Sequence, residues 1–337
     1  MSESSVLVVG PSWVGDMVMA QSLFRWLKQS APERPIDVLA PGWSLPIVAR
    51  MPEVRAGVEM PLGHGAVGIG VRRSLGVSLR DRRYSQAIVL PRSLKAALVP
   101  WFARIPRRTG YRGEFRYGLI NDMRPFDRTV LDQTVKRFVM LGVERGEALP
   151  SPPPPLLTVD VDAQRKAIQR LVPSHDRPVI GLLCGAEYGP AKAWPQGHFA
   201  AAARQLHERG FDIWLLGGPG DRDAAHDIVT QSGVPAHNLC GETSLSEAID
   251  LLAACHAVVS NDSGLMHVAS AVGTSVVAVY GSSSPRFTPP LTPRSEIHYL
   301  DLDCSPCFQR TCPLGHLRCL NDLNPERVIA SIELPSA

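Results

Sequence analysis

The stretch AVVSNDSGLMH, residues 257–267, passes from a short apolar run into a polar corner and straight on into helical spacing. Residues 257–260 read as a strand, Asn261 and Asp262 as its carboxyl end, and residues 265–272 as the following helix. A short apolar strand leading at once into a helix belongs to a parallel sheet covered on both faces and built from βαβ units. At such a corner the free N–H groups and the positive dipole end of the helix point past the strand, where they suit a phosphate. Ser263 adds a hydroxyl, Gly264 leaves room for the anion, and Asp262 offers a carboxylate to sugar hydroxyls. His267 falls one turn inside the helix, on the face of Gly264. It reads either as a ligand contact or as a hydrogen-bonded structural histidine.

The same alternation continues outward. In the second half, residues 179–184, 213–216 and 276–280 are further strands, with helices over 163–171, 198–209 and 245–254. Ser244 and Glu247 form the S-x-x-E box that fixes the start of the last of these. In the first half, residues 5–9, 36–40 and 87–90 read as buried strands, and 16–29, 94–103 and 134–141 as helices. Between the halves lies SPPPP, residues 151–155, which can continue neither a helix nor a central strand. The expected architecture is α/β: two Rossmann-like, doubly wound domains, 1–155 and 156–337, facing a central cleft. Ligands bind such sheets at the carboxyl ends of the strands.

With 337 residues, 45% apolar and 20% charged, the chain has the make-up of a two-domain globular protein and not of a disordered one. No apolar run reaches the ~20 residues a bilayer requires. Residues 6–10 are too short for the core of a signal peptide, so a cytoplasmic protein is expected. Cys184, Cys240 and Cys255 sit in apolar segments and read as reduced core residues. The charge is unevenly spread. Residues 1–155 hold 22 basic and 13 acidic side chains, a net +9, against 13 and 19, a net −6, in the remainder. Residues 72–128 alone carry 14 basic and 4 acidic groups, Arg107 and Arg108 among them. Such density attracts phosphosugars or an anionic membrane surface, or is only a solvated face. Nucleic acid is not expected, because neither interleaved aromatics nor a recognition helix accompanies the charge.

The first βα loop, GPSWVGD, is neither G-x-G-x-x-G nor a Walker A sequence, which removes sequence support for nicotinamide cofactors and P-loop phosphoryl transfer. Asp16 ends that loop, as a helix-terminal carboxylate or as a general base facing the cleft. The segment GAEYGPAKAWP displays Glu187, Tyr188 and Lys192 beyond a strand, and a lysine there suits a pyrophosphate. Trp194 and Pro195 read as the start of the next helix. LLGGPGDRD, residues 215–223, again leads from strand through glycines to helix. Near the end, Cys304, Cys307, Cys312 and Cys319, with His316 nearby, resemble a metal knuckle. Their spacing matches no standard zinc or ferredoxin pattern, free or redox-labile thiols remain the other reading, and no metal is assigned.

Taken together, VLVVGPSWVGDMVMAQSL, MPLGHG, RTGYRGEFRYGLINDMR, GAEYGPAKAWP, NDSGLMHVA and SSPRFTPP resemble the heptosyltransferase family of glycosyltransferases, in particular the ADP-heptose:lipopolysaccharide type II members. The resemblance runs from about residue 5 to residue 290. It implies a GT-B fold and inverting transfer with no catalytic metal and no cofactor. The donor it implies is ADP-heptose, bound by the second domain. The acceptor is the first heptose of heptosyl-Kdo-lipid A, approached by the first domain from the cytoplasmic face of the inner membrane. It puts the base on Asp16 and the phosphate lysine on Lys192. Donor contacts fall on Asp262, Ser263, Gly264, Leu265 and His267, with Glu187, Tyr188 and Thr243 beside them. Arg107 and Arg108 are expected to meet the anionic acceptor. An epimerase of similar fold, or a nucleotide-sugar-binding module without catalysis, are the alternatives; Asp16 argues against the second.

Overall fold

The structure is a computed structural model that describes residues 5–63, 65–173 and 176–334. His64, within the MPLGHG motif, lies outside the described residues. The chain forms two compact units, Met1–Leu157 and Thr158–Ala337.

The first unit carries a parallel sheet of β1 (Val6–Val9), β2 (Ile36–Pro41), β3 (Ala56–Met60), β4 (Gln86–Val89), β5 (Arg107–Tyr111) and β6 (Asp122–Arg124), in the order β3-β2-β1-β4-β5-β6. The second carries β7 (Val179–Leu183), β8 (Asp212–Leu215), β9 (His237–Asn238), β10 (Ala257–Asn261), β11 (Ser275–Val279) and β12 (Ser295–His298), ordered β12-β11-β10-β7-β8-β9. Both are the doubly wound order of dinucleotide-binding folds, with the chain reversing direction between β1 and β4 and again between β7 and β10. The central strands β1, β4, β7 and β10 are buried at every position, which is why they read as continuous apolar runs.

The outer strands escaped the sequence reading for the same physical reason. β5 begins with two arginines, β6 with an aspartate, and β3 is half exposed, so none of them shows an apolar run. The helix Ile69–Ser78 is likewise absent from the sequence expectations, whereas the helix expected after the glycines of residues 215–223 forms as Arg222–Ser232. The helix expected over 94–103 is instead a 3-10 turn, Leu94–Ala97, followed by a short helix, Leu98–Phe102. Pro100 sits in the first turn of the second piece, where its missing N–H costs nothing. The Ser244–Glu247 box forms as expected, with the Ser244 N–H donating to Glu247 Oε2 at 2.8 Å and the Glu247 N–H donating back to Ser244 Oγ at 3.2 Å.

The proline run is extended and fastened to the first unit. The buried Gln21 amide, on the helix Val14–Ser30, donates to the Leu156 carbonyl at 2.6 Å and accepts its N–H at 2.9 Å. Arg25 donates to the Pro154 carbonyl. The first unit therefore ends at Leu157, two residues beyond the expected 155.

Asp37, inside β2 and fully buried, is the main charged group of this unit's core. Arg55 grips it with two bonds of 2.8 Å, Arg82 adds one of 2.8 Å and the Tyr84 hydroxyl one of 2.5 Å. Burial alone would raise its pKa, but these donors outweigh burial and hold the carboxyl below its usual value. A depressed carboxylate stabilises the native state above the unfolded pKa and loses that contribution as pH falls through the native one. Asp37→Asn should cost about 2 kcal/mol at pH 7, less than a fully buried pair because both arginines are half exposed. Urea unfolding should show the gap between wild type and variant narrowing below about pH 4; an equal gap at pH 7 and pH 3 would contradict this role.

Candidate functional site

Each sheet leaves open ground at its reversal point, and the two are chemically opposite. In the first unit, Asp16 lies in the opening turn of Val14–Ser30, just beyond β1, half-buried. The helix dipole favours its ionised form there. The loop before it is fixed by Trp43, whose indole N–H donates to the Ser12 carbonyl at 3.0 Å. A Cβ on Gly10 would come 2.6 Å from Met17 Cε, so the Met17 side chain would have to shift.

Beyond β4 and β5, next along the same edge, a cavity of about 550 Å³ is lined by Arg92, Ser93, Arg112, Gly113, Glu114 and Phe126. Arg92 and Arg137 each place a guanidinium 5.1 Å from the Phe126 ring centre. Arg116 ties together the loops that line it. It is 1% exposed and donates to the carbonyls of Tyr111 at 2.6 and 3.2 Å and of Pro91 at 2.6 Å, tying the two loops together. Burial lowers its pKa to about 10, so it stays charged. Gly113 is required because a Cβ would lie 2.1 Å from the Arg92 carbonyl oxygen. The motif RTGYRGEFR is thus the wall of a basic pocket.

Arg107 and Arg108 do not belong to it. Both open β5, at the amino end of the sheet, and a strand of five residues separates that end from Asp16's by roughly 15 Å. Arg107 is held by Asp122 at 3.1 Å and Glu144 at 3.0 Å; Arg108 donates to the carbonyls of Ile105, Leu119 and Gly118. The sequence shows their charge and hides its partners, which for Arg107 lie 15 and 37 positions away.

In the second unit, the loops after β7 and β10 meet. Asn261, fully buried, accepts the Trp194 N–H on its Oδ1 at 2.9 Å and donates to the Cys184 carbonyl at 2.8 Å. This joins the ends of β7 and β10 and sets Lys192 against Asp262, Nζ to Oδ2 at 2.5 Å. Asp262 is nearly buried while Lys192 keeps some exposure, so the amine can turn outward. Trp194 is a core residue whose indole N–H donates to the Leu323 carbonyl at 2.8 Å, as befits a helix start and not a base-stacking surface. Tyr188 lies 5.0 Å under Lys192 Nζ and its hydroxyl donates to the Phe308 carbonyl at 2.7 Å. Glu187 is exposed. Ser263 caps the helix Gly264–Ala271 by accepting the Met266 N–H at 3.4 Å, which leaves the first N–H groups of that helix, from Gly264 and Leu265, for an anion. Thr243 follows β9, two strands from β7, or about 10 Å along the edge.

Asn261, Arg116 and Asp221 were not given roles by the sequence reading. Asp221 Oδ2 accepts the Gly218 N–H at 2.8 Å, and a Cβ on Gly185 or Gly217 would sit within 2.7 Å of it. The glycines around it were the available signal. Ser283, beyond β11, has a buried hydroxyl with no partner. Among the described residues no three His, Cys, Asp or Glu side chains stand in a metal-holding arrangement as they lie. Nor is any helix there long and apolar enough to cross a membrane.

Two doubly wound sheets, one offering a carboxylate and the other a lysine beside a helix start, define a glycosyltransferase of the GT-B type. The family model described as Glycosyltransferase family 9 (heptosyltransferase) matches residues 72–318, and the chain belongs to that family. It is 45% identical to lipopolysaccharide heptosyltransferase 2 of Escherichia coli strain K12, covering 97% of each chain. It is 44% identical to lipooligosaccharide heptosyltransferase 2 of Haemophilus ducreyi, over 97% of this chain and 98% of that one. The solved structure of E. coli ADP-heptose lps heptosyltransferase II superposes with a TM-score of 0.85 at 43% identity, covering 97% of this chain and 96% of the other. A family 9 glycosyltransferase from Veillonella parvula shares the fold at TM-score 0.80, 19% identity and coverage of 88% and 85%.

His267 is 5% exposed, and burial pushes its pKa from 6.5 down to about 4, the Asp262 charge only partly offsetting this. It is neutral at physiological pH. Because the unfolded chain takes up the proton first, stability should fall with pH between 6.5 and about 4, by up to about 3 kcal/mol. Melting curves across this window should show a flatter response in His267→Gln than in the wild type; parallel responses would remove His267 as the cause.

Proposed function

We propose that the chain transfers heptose from ADP-heptose, with inversion, onto the first heptose of heptosyl-Kdo-lipid A. The observation that carries this is the contact of Lys192 with Asp262 beside a helix start whose N–H groups are free, in a chain related over nearly its whole length to heptosyltransferases 2. The anion-binding features belong to the donor pyrophosphate, with Lys192 and the Gly264 and Leu265 amides meeting it and Asp262 and His267 beside the sugar. Tyr188 and Glu187 flank the pyrophosphate; Thr243 stands toward the nucleoside.

In the reaction, Asp16 takes the proton of the acceptor hydroxyl as its oxygen attacks the anomeric carbon. The bond to the ADP oxygen breaks, and the charge arriving on the phosphate is met by Lys192 and the helix N–H groups. Base assistance of this kind supplies ~10²–10⁴-fold, and each preorganised donor ~3–4 kcal/mol. Nothing in this sequence of events resembles epimerisation, which needs no acceptor, or binding alone, which needs no Asp16. The acceptor's phosphates and Kdo carboxylates are assigned to Arg92 and Arg112, in place of Arg107 and Arg108. The same basic face suits peripheral contact with the inner leaflet of the cytoplasmic membrane, and a cytoplasmic location with it.

Asp16→Asn should keep ADP affinity and thermal stability while kcat falls by ~10²-fold or more; near-native kcat would remove Asp16 from the mechanism. Lys192→Ala should weaken ADP binding measured by calorimetry, and an unchanged affinity would move the pyrophosphate elsewhere. Exposed charge is screened over ~8 Å at physiological salt. Acceptor KM should therefore climb with added salt more steeply than donor KM, and Arg92→Glu with Arg112→Glu should reproduce that rise for the acceptor alone. Equal salt responses of the two substrates would leave these arginines as a solvated surface.

A further inference from the structure

Cys304, Cys307, Cys312 and Cys319 play no part in the reaction above, yet the fold brings all four to one place. They line a single small void of about 20 Å³, whose wall also includes Ala191, Ser282, His316 and Leu317. That volume holds one water-sized particle. All seven cysteines of the chain are free thiols, so no disulfide accounts for the gathering. Cys319 is buried in the short helix Arg318–Asn321, and the other three are partly buried. A further polar group reaches the same void: the Ser282 hydroxyl, on a residue 1% exposed, has no hydrogen-bond partner. A buried hydroxyl without a partner is costly, and a thiolate would satisfy it.

We propose that these four cysteines are a tetrahedral thiolate site for one divalent metal ion of the zinc class. Four sulfurs around a space for one ion select zinc, or iron as the other ion that accepts such a set. The thiols as they lie are not drawn into a closed ligand set; rotation about χ1 between staggered rotamers is the movement that binding requires. Each thiol gives up its proton as the metal–sulfur bond forms, so protons are released and no oxidant or reductant takes part. His316 is not a ligand. It is exposed, and its Nδ1 accepts the Arg318 N–H at 3.1 Å.

The site has a structural task, which rests on the donor reading given above. The cysteine loop is stitched to the loop that carries Tyr188 and Lys192. The Ala191 N–H donates to the Arg310 carbonyl at 3.0 Å, the Phe308 N–H to the Ser282 carbonyl at 2.7 Å, and the Ser282 N–H to the Ala191 carbonyl at 3.1 Å. Arg310 lies 5.3 Å from the Tyr188 ring centre, and Gly189 has no Cβ because one would meet the Arg310 carbonyl at 2.6 Å. A metal that fixes residues 304–319 fixes the backbone under Lys192.

The full-length protein, purified without chelator, should contain about one zinc or iron per chain by elemental analysis. After exchange into cobalt(II) it should show the sulfur-to-cobalt charge-transfer and ligand-field bands of a tetrahedral thiolate centre. Cys304→Ser with Cys307→Ser should lose the metal and His316→Ala should keep it. Because the cysteine variants also risk misfolding, the wild-type spectrum decides by itself. Trace metal with no cobalt bands, or a disulfide among the four by mass spectrometry, overturns the site. Removing the metal should weaken ADP binding about tenfold by calorimetry. Unchanged ADP affinity overturns the bracing role, whereas no ADP binding in either form overturns the donor reading and leaves the metal stoichiometry to judge the site.

Discussion

One buried amide holds the second unit's working edge together. Asn261 stands where β10 ends, and its side chain binds both a carbonyl at the end of β7 and the N–H of Trp194. In a doubly wound sheet the neighbouring strands at the reversal point send their helices to opposite faces, so their carboxyl ends part and leave a crevice. Something has to set the width of that crevice, and an amide with one acceptor and two donors bridges it without charge. Everything that follows takes its place from this bridge. Lys192 meets Asp262, Trp194 enters the core, and the helix Gly264–Ala271 begins at a fixed height.

The first unit solves the same problem with a charge. Arg116 reaches beneath the loops after β4 and β5 and donates to backbone carbonyls on both. A guanidinium has five donors where an amide has two, so it can satisfy more carbonyls at once. The cost is desolvation of a cation, visible in its lowered pKa. Carbonyl dipoles compensate that cost, and the loops so tied carry the arginines that line the pocket. Asp37 shows the converse arrangement, a buried anion surrounded by two arginines and a tyrosine.

The sequence made the centres of both sheets legible and their edges much less so. β1, β4, β7 and β10 are buried on both faces, so burial alone writes their pattern. β5 carries an arginine, Arg107, answered across the strands by Asp122 of β6, a pairing that no local pattern records. The same blindness hides that Arg107 and Arg108 already have partners, because a list of charges does not say which are answered. The loop residues fared better. Glycine, proline and serine at a strand end have few alternative uses, and the corner at 260–264 folds as those residue types dictate. Asn261 was visible only as a polar strand end. Its importance comes from two partners some 70 residues away.

Ser263 spends its hydroxyl on the helix it opens, and that has an evolutionary corollary. An anion at this corner would be gripped by main-chain N–H groups, which every residue except proline supplies. The main-chain part of that grip would survive substitution of the side chains around it, and only the part supplied by a side chain such as Lys192 would be open to mutation.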